Sequence, residues 1–335
     1  MSKLLKGKRV FLDTQVFRKA RFGVSNPAFK KLSEICKEGD VTLVTTSITR
    51  KEIDAQIDEV APEIKKTLGT AASILVGFGL PEITINGASA ATLTEAEIAA
   101  FLKALVAIFF RDCDVEEIEL PKRALHNALD LYFGKRAPFG PGKKKSEFPD
   151  AFVLEALKSK AGQNGESVYV ISEDSDFSSA CKECPHFEQL PSIAHFLNLW
   201  NVHSDSIKQV RATLRANIKK IHNLLDQVVE GISGEMDAPG SVKISHREIV
   251  DVLDELVISC DDSKASTEFV CYVEFDAFLE IHPPHNAHAE QRQAHAGQSV
   301  NITLEFDYDP TNPKVFEVVT YWAPQSITFS AHRAS

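Results

Sequence analysis

Four acidic residues lie at the ends or beginnings of regular segments predicted within the first 200 residues. Asp13 ends the apolar run "RVFLD", and Asp174 directly follows "VYVISE". Glu52 lies in the helix predicted after "VTLVTTS", and Asp150 lies in the first turn of the helix predicted from "SEFPDAF". A buried ionised carboxylate costs several kcal/mol unless a positive group compensates it. The four residues therefore raise the question of which positive group they share.

The strands and helices that carry these acids predict that the shared positive group is a metal ion. In open parallel sheets, ligands bind beyond the carboxyl ends of the strands, so acids from distant segments would meet at one edge. Such a cluster repels itself unless divalent cations hold it together, and Mg²⁺ and Mn²⁺ prefer oxygen ligands. Metal ions at such a site polarise a phosphate, generate hydroxide and stabilise the leaving oxygen. The pattern therefore favours hydrolysis of phosphodiester bonds.

Each acid also has an ordinary structural explanation. Asp13 could be a turn residue at the end of its strand, and the aspartates of "SEDSDF" could be turn and N-cap residues. Glu52 could complete a capping box that begins at Thr49, and Asp150 gains from the helix dipole. A single metal site would account for the placement of all four residues together, which the separate explanations do not.

The order of the elements predicts the fold of residues 1–200. Strand-like and helix-like segments alternate there, which is typical of a parallel sheet covered by helices. The predicted strands are "RVFLD", "VTLVTTS" and "SVYVISEDSDF". The predicted helices are "NPAFKKLSEICKEG", "ITRKEIDAQIDEV", a stretch from Pro62 to Leu80, "TEAEIAAFLKALVAIFF" with a capping box from Thr94 to Glu97, "PKRALHNALDLYFG" and "SEFPDAFVLEALKSKAG".

The C-terminal part of the chain has a different residue pattern. Residues 204–231 predict one long amphipathic helix, and we expect residues 201–239 to link two domains. From residue 240 onward, "STEFVCYVEFDAFLEI" and "SVNITLEFDYD" alternate apolar and polar residues and are rich in β-branched and aromatic side chains. This pattern predicts an accessory α+β domain with an antiparallel sheet over residues 240–335.

Length and charge place limits on the function. A chain of 335 residues exceeds one ordinary core, so we expect two domains. Residues 1–200 have a net charge of −1 and residues 201–335 a net charge of −9, while the first 31 residues contain nine Lys and Arg against one Asp. An anionic partner therefore fits the N-terminal domain, and for the acidic C-terminal domain we predict a protein partner or self-association.

Composition also predicts the location of the protein. No apolar run reaches the roughly 18 residues that a membrane span needs, and the N-terminus lacks the apolar region of a secretion signal. Six Cys without a dense framework suit a reducing compartment. We therefore predict a cytoplasmic protein that does not span a membrane.

Four motifs resemble, in order, those of PIN-domain nucleases: "VFLDT", "VTTSITRKEI", "SEFPDAF" and "YVISEDSDF". The resemblance implies a three-layer α/β/α fold with a central parallel sheet, and a site of three or four acids that binds Mg²⁺ or Mn²⁺. It also implies hydrolysis of single-stranded or structured RNA, less often DNA. By position, Asp13, Glu52, Asp150 and Asp174 match the four acids of the family, with Asp176 as an alternative to Asp174.

One departure from the family pattern is the distance between the second and third acids. About a hundred residues separate Glu52 from Asp150, and residues 62–135 are predicted to be mainly helical. This resembles the larger PIN-like proteins that carry a helical insertion. The PIN-like nuclease domain is therefore predicted to cover residues 1–200.

The resemblance assigns roles to individual residues. Asp13, Asp150 and Asp174 or Asp176 would ligate the metal, and Glu52 would be a ligand or a base. Thr14 and Ser172 would orient the carboxylates through hydrogen bonds. The predicted contacts to the phosphate backbone are Arg18, Lys19, Arg50, Lys143, Lys144 and Lys145.

Two other functions compete with this prediction. A PIN scaffold could bind RNA or protein without cleaving it, although such a module has no reason to keep a repulsive acid cluster. "FLDT" also resembles the phosphoryl-transfer loop of haloacid-dehalogenase-like phosphatases. That family needs a second Asp two positions after the first, where this chain has Gln15.

Overall fold

The computed structural model describes residues 6–78, 84–85, 88–139, 147–162, 165–201, 205–236, 240–261, 263–281 and 290–329. The chain forms two compact units that divide between Phe196 and Leu197. None of the helices in the described ranges is long and apolar enough to cross a lipid bilayer.

A five-stranded parallel sheet with the order β5-β2-β1-β6-β7 is the centre of the N-terminal unit. With its flanking helices it confirms the predicted three-layer α/β/α fold. The strands of the unit are β1 (Arg9–Leu12), β2 (Thr42–Thr46), β3 (Thr84–Ile85), β4 (Ala88–Ser89), β5 (Glu116–Ile118), β6 (Val168–Ile171) and β7 (Phe187–Leu190). The sequence analysis missed β5 and β7 because "EEI" and "FEQL" are short and mostly polar.

The helices of this unit differ from the prediction mainly around Pro62. The segments before and after this proline form one helix, α3, and residues 62–135 also contribute β5 to the sheet. The capping box predicted from Thr94 to Glu97 is present. The helices are α1 (Thr14–Lys19), α2 (Pro27–Lys37), α3 (Ser47–Gly77), α4 (Glu95–Asp112), α5 (Ala124–Gly134), α6 (Phe148–Lys160) and α7 (Ser175–Lys182), with a short 3-10 helix at Ala90–Thr92. Helix α8 (Ile193–Asn201) begins in this unit and continues past the division at Leu197.

Two apolar groups fix these helices around the sheet. Val153, Leu154 and Leu157 of α6 are buried in one cluster with Phe11 of β1, which stacks on Phe177 of α7 at a ring-centroid distance of 6.3 Å. A second group joins α1, α2 and α4 through the rings of Phe17, Phe29, Phe109 and Phe110, with centroids 5.1–6.1 Å apart. The apolar stripe of α6 thus faces the sheet as its spacing predicts.

An antiparallel four-stranded sheet with the order β12-β11-β10-β9 dominates the C-terminal unit and confirms the predicted sheet. The single helix predicted over 204–231 is two helices that meet at Asn217, and both pack into the core of this unit through Ile207, Leu214, Ile221 and Leu225. The elements are α9 (Asp205–Ala216), α10 (Ile218–Glu230), β8 (Ser233–Met236), β9 (Gly240–Cys260), β10 (Lys264–Ile281), β11 (Glu290–Asp309), β12 (Asn312–Trp322) and β13 (Ser326–Phe329). Strands β8 and β13 form a separate parallel pair.

Candidate active site

The carboxyl ends of β1 and β6 bring the first candidate acid against the loop that carries the last. Leu12 and Ile171 are partners in the parallel register, and the backbone N–H of Asp13 donates to the carbonyl of Ile171 at 3.0 Å. The Ser172 hydroxyl then donates to Oδ2 of Asp13 at 2.7 Å. Asp13 is only 7% exposed, so this hydrogen bond fixes a buried carboxylate.

Burial is the largest influence on the pKa of Asp13. It raises the pKa of the carboxyl above its ordinary value, and the negative charge of Asp174 adds to that rise. Hydrogen bonds from Ser172 and from the backbone amides of Thr14 and Gln15 oppose part of the effect. Asp13 is therefore a desolvated acid beside a second acid, an arrangement that favours a bound cation.

Glu52 reaches the same region from α3. The helix begins after Thr46, whose hydroxyl accepts from the N–H of Thr49 at 3.1 Å, so the capping box proposed between Thr49 and Glu52 is wrong. The Thr14 hydroxyl instead donates to Oε2 of Glu52 at 3.2 Å. Burial raises the pKa of Glu52, and the negative charge of Asp13 raises it further.

Among the acids of the cluster, Asp150 has the pKa that is raised furthest above its ordinary value. It lies partly buried in the first turn of α6, and burial together with neighbouring charges raises its pKa to about 8. The charged groups with the largest influence are all carboxylates, in the order Glu52, Asp13, Glu147 and Asp174. Acids from four separate segments therefore interact at this edge of the sheet.

Sequence reasoning missed Glu147. It precedes Asp150 by three residues at the start of α6, a spacing that places two side chains on neighbouring positions of one helix face. The spacing was visible in "SEFPD". Glu147 contributes to the charge of the cluster through its effect on Asp150.

Asp174 has both a capping contact and a place in the cluster. Its Oδ1 accepts from the N–H of Phe177 at 3.3 Å, so the N-cap explanation holds for this residue. Its own N–H donates to the Ser172 hydroxyl at 3.1 Å, and Gln15 Nε2 donates to its Oδ2 at 3.4 Å. Ser172 thus connects Asp13 to Asp174 through its hydroxyl.

The predicted phosphate contacts lie in different surroundings. Arg18 and Lys19 are exposed in the last turn of α1, and Lys19 forms an ion pair with Glu173, next to Asp174. Arg50 pairs with Glu117 at 2.9 Å, and its guanidinium lies 4.6 Å from the centroid of the Phe110 ring. The predicted residues Lys143, Lys144 and Lys145, and the side chain of Asp176, lie outside the part of the chain that the structure describes.

The carboxylates of the cluster are the type of ligand that a divalent cation prefers, but the spacing of the described side chains does not form a coordination site. Carboxylate oxygens are the ligands that Mg²⁺ and Mn²⁺ prefer. Asp13 is buried, and Glu52, Asp150 and Asp174 are partly buried. The negative charges raise the pKa of Asp150, and hydroxyl groups donate to Asp13 and Glu52. Within the described residues, no three His, Cys, Asp or Glu side chains are arranged to hold a metal ion as they stand. An ion that binds here has to draw the carboxylates together.

Comparisons with known proteins extend over the region that contains the cluster. A family model described as PIN domain matches residues 10–177, which is half of the chain and includes all four predicted acids. Searches of the curated proteins and of the solved structures return no match.

Proposed function

The chain belongs to the PIN domain family, a nuclease superfamily, and from this premise we propose that it hydrolyses phosphodiester bonds of RNA with the help of Mg²⁺ or Mn²⁺. One observation carries the proposal. Asp13, Glu52, Asp150 and Asp174 come from four segments, and other carboxylates are the charges that most raise the pKa of Asp150. Carboxylates held close together and partly out of water repel one another, and a divalent cation bound between them lowers that cost.

The proposed ligands are Asp13, Asp150 and Asp174, with Asp176 as an alternative to Asp174, and Glu52 is a further ligand or a base. When bound, the ion polarises the scissile phosphate and activates the attacking water. The hydroxyl of Ser172 holds Oδ2 of Asp13 at 2.7 Å, and the hydroxyl of Thr14 holds Oε2 of Glu52 at 3.2 Å. These hydrogen bonds limit the rotation of two carboxylates that would otherwise move apart.

We assign substrate contacts to the basic residues predicted from the sequence. Arg18 and Lys19 are exposed on α1, the helix that directly follows Asp13. Arg50 is engaged by Glu117, so a contact with phosphate requires it to exchange this partner. Lys143, Lys144 and Lys145 precede Asp150 in sequence and remain proposed contacts. The preference for RNA over DNA rests on the family resemblance.

A cleavage assay tests the proposal. Labelled single-stranded RNA and DNA are incubated with Mn²⁺ or Mg²⁺ and the wild type, Asp13→Asn or Asp150→Asn. We expect cleavage by the wild type and a loss of roughly a hundredfold or more in both variants, because partners of metal ligands alone account for 10–100-fold. Asp54→Asn, an exposed residue on the same helix as Glu52, is the matched control. Equal activity in all four proteins would show that the cluster is not the site.

For the C-terminal unit we propose contact with protein, either a partner or a second copy. Residues 201–335 have a net charge of −9, which disfavours nucleic acid. Strand β12 lies at an edge of its sheet and exposes Val315, Val319 and Tyr321, between 41% and 53% each. Light scattering of the full chain, with Tyr321→Lys as the variant, tests self-association. A wild type that stays monomeric at all concentrations would contradict it.

A further inference from the structure

The C-terminal end of α5 exposes an aromatic ring next to two basic side chains. Phe133 is 76% exposed, although most Phe side chains of this unit are buried. Lys135 and Arg136, which follow it closely, are also exposed. Residues 130–139 contain Lys135 and Arg136 against Asp130, a net charge of +1, and Oδ2 of Asp130 lies 3.5 Å from Nε2 of His126.

The backbone at Lys135 is unusual for a lysine. It has φ 52° and ψ 36°, the left-handed conformation that commonly ends a helix and that glycine adopts most easily. A residue with a side chain is strained there, because its Cβ approaches the following carbonyl oxygen. Gly134 stands one position too early to relieve this strain. Arg21, Phe22 and Asp114 also have positive φ, so the strain at Lys135 is not by itself a sign of function.

Gly134 has a different role, because it allows the side chain of Arg136 to lie close to the helix end. A Cβ added at Gly134 would lie 3.3 Å from Nε of Arg136. Lys135 and Arg136, both exposed, follow Phe133 by two and three positions, and Arg136 lies against the helix end. An exposed ring flanked by cations is the combination that single-stranded nucleic acid needs, since bases stack on the ring and phosphates contact the cations.

Aromatic contacts connect this surface to the acid cluster. Phe133 contacts Tyr132 with a centroid distance of 5.3 Å, and Tyr132 contacts Phe148 at 5.2 Å. The buried Phe139 also contacts Phe148, at 4.9 Å. Phe148 begins α6 two residues before Asp150. Only two ring contacts thus separate Phe133 from the helix that carries Asp150.

We propose that Phe133, Lys135 and Arg136 form a subsite for one nucleotide of a single-stranded nucleic acid. The base stacks on Phe133, and Lys135 and Arg136 bind the adjacent phosphates. The inference rests on the proposed function, because it identifies the subsite that leads a strand to the acids. Stacking requires an unpaired base, so the subsite selects single strands over duplexes and tolerates any base.

Binding of a fluorescently labelled single-stranded RNA, followed by anisotropy in EDTA, tests the subsite without cleavage. We expect Phe133→Ala to weaken binding roughly 5- to 150-fold, the loss associated with one stacked base. Phe133→Trp keeps a ring and restores binding. Leu125→Ala is the matched control, because Leu125 is 60% exposed on the same helix. Duplex RNA of the same length binds more weakly than the single strand.

Lys135→Gly separates function from folding. The variant relieves the left-handed strain, so we expect its melting temperature to equal or exceed that of the wild type. Its affinity for the same RNA falls, and the slope of log affinity against log salt decreases by about 1. Lys122→Ala, which removes an exposed charge just before α5, is expected to leave both largely unchanged.

The subsite is overturned if Phe133→Ala binds like the wild type, or if Leu125→Ala loses as much, which would indicate an apolar docking surface. It is also overturned if the wild type binds no single strand in EDTA. Phe133-dependent binding by a wild type that never cleaves would support the subsite and refute only the proposed catalysis. Cleavage that is lost in Asp150→Asn while binding in EDTA persists supports both.

Discussion

The two units place acidic residues in opposite electrostatic surroundings. The C-terminal unit carries a net charge of −9 over residues 201–335, yet burial of its Glu255, which raises the pKa, is opposed by the positive charges of Arg211 and Arg215. The N-terminal unit is nearly neutral, with −1 over residues 1–200. There the pKa of Asp150 is raised by burial and then by four more carboxylates.

The difference shows that net charge does not reveal where carboxylates crowd together. Glu255 is partly buried, and two arginines oppose the rise in its pKa. Asp150 differs, because the charged groups that most raise its pKa are carboxylates, an arrangement that a bound cation would stabilise. The following predictions test this contrast.

The largest expected effect is on the response to Mn²⁺. An ion that binds only the folded state adds about 2.7 kcal/mol to the free energy of unfolding at a hundredfold excess over Kd. We expect this stabilisation in the wild type and in Glu255→Gln, and a much smaller one in Asp150→Asn, measured by thermal melting. A melting temperature that does not respond to Mn²⁺ would favour a PIN domain that binds without cleaving.

Removal of the Ser172 hydroxyl is expected to lower cleavage activity 10- to 100-fold, because partners that orient metal ligands account for losses of this size. The hydroxyl donates to Asp13 and accepts from the N–H of Asp174. Ser159→Ala is the control, because Ser159 bonds the carbonyl of Ala156 within α6 at 2.6 Å. Similar rates for Ser172→Ala and wild type would mean that Asp13 needs no such support.

The stability of the metal-free protein should depend on pH through Asp150. Its pKa of about 8 in the folded state exceeds the ordinary 3.8, so the folded chain retains a proton that the unfolded chain releases. This contribution is complete below pH 4 and is lost as the pH rises toward 8. The melting temperature of Asp150→Asn should therefore be higher than that of the wild type at pH 8 and similar to it at pH 4.

Glu255→Gln provides the control for that experiment, because Arg211 and Arg215 already compensate Glu255. Its melting temperature relative to wild type should change less between pH 4 and pH 8. A difference between Asp150→Asn and wild type that stays constant over this range would contradict the assignment.

The smallest effect is expected from Tyr308→Phe. The Tyr308 hydroxyl donates to the carbonyl of Asp261 at 2.6 Å within the C-terminal unit, and loss of such a hydrogen bond costs about 1 kcal/mol. Denaturant unfolding should show this loss, while cleavage and the response to Mn²⁺ remain unchanged. A loss of the Mn²⁺ response would show that the units are not functionally separable.

The sequence allowed the prediction of much of the fold, for identifiable reasons. The apolar strands around Phe11, Val44 and Val170 and the helical stripe of Val153, Leu154 and Leu157 have strong periodicity, and the structure contains all of them. Strand β5 and the break at Asn217 were missed. A three-residue polar strand has no periodicity of its own, and its place at the edge of the sheet comes from pairing with β2.

The sequence by itself determined the types and order of the acids, the parallel α/β class of the first unit and the antiparallel sheet of the second. Tertiary structure alone decided that Glu52 bonds Thr14 rather than capping its helix, and that Glu147 adds to the charge around Asp150. It also decided that Lys135 lies in a left-handed turn beside an exposed ring. The physical reason is that spacing along the chain fixes local conformation, whereas burial and the distance between charges exist only after distant segments have packed together.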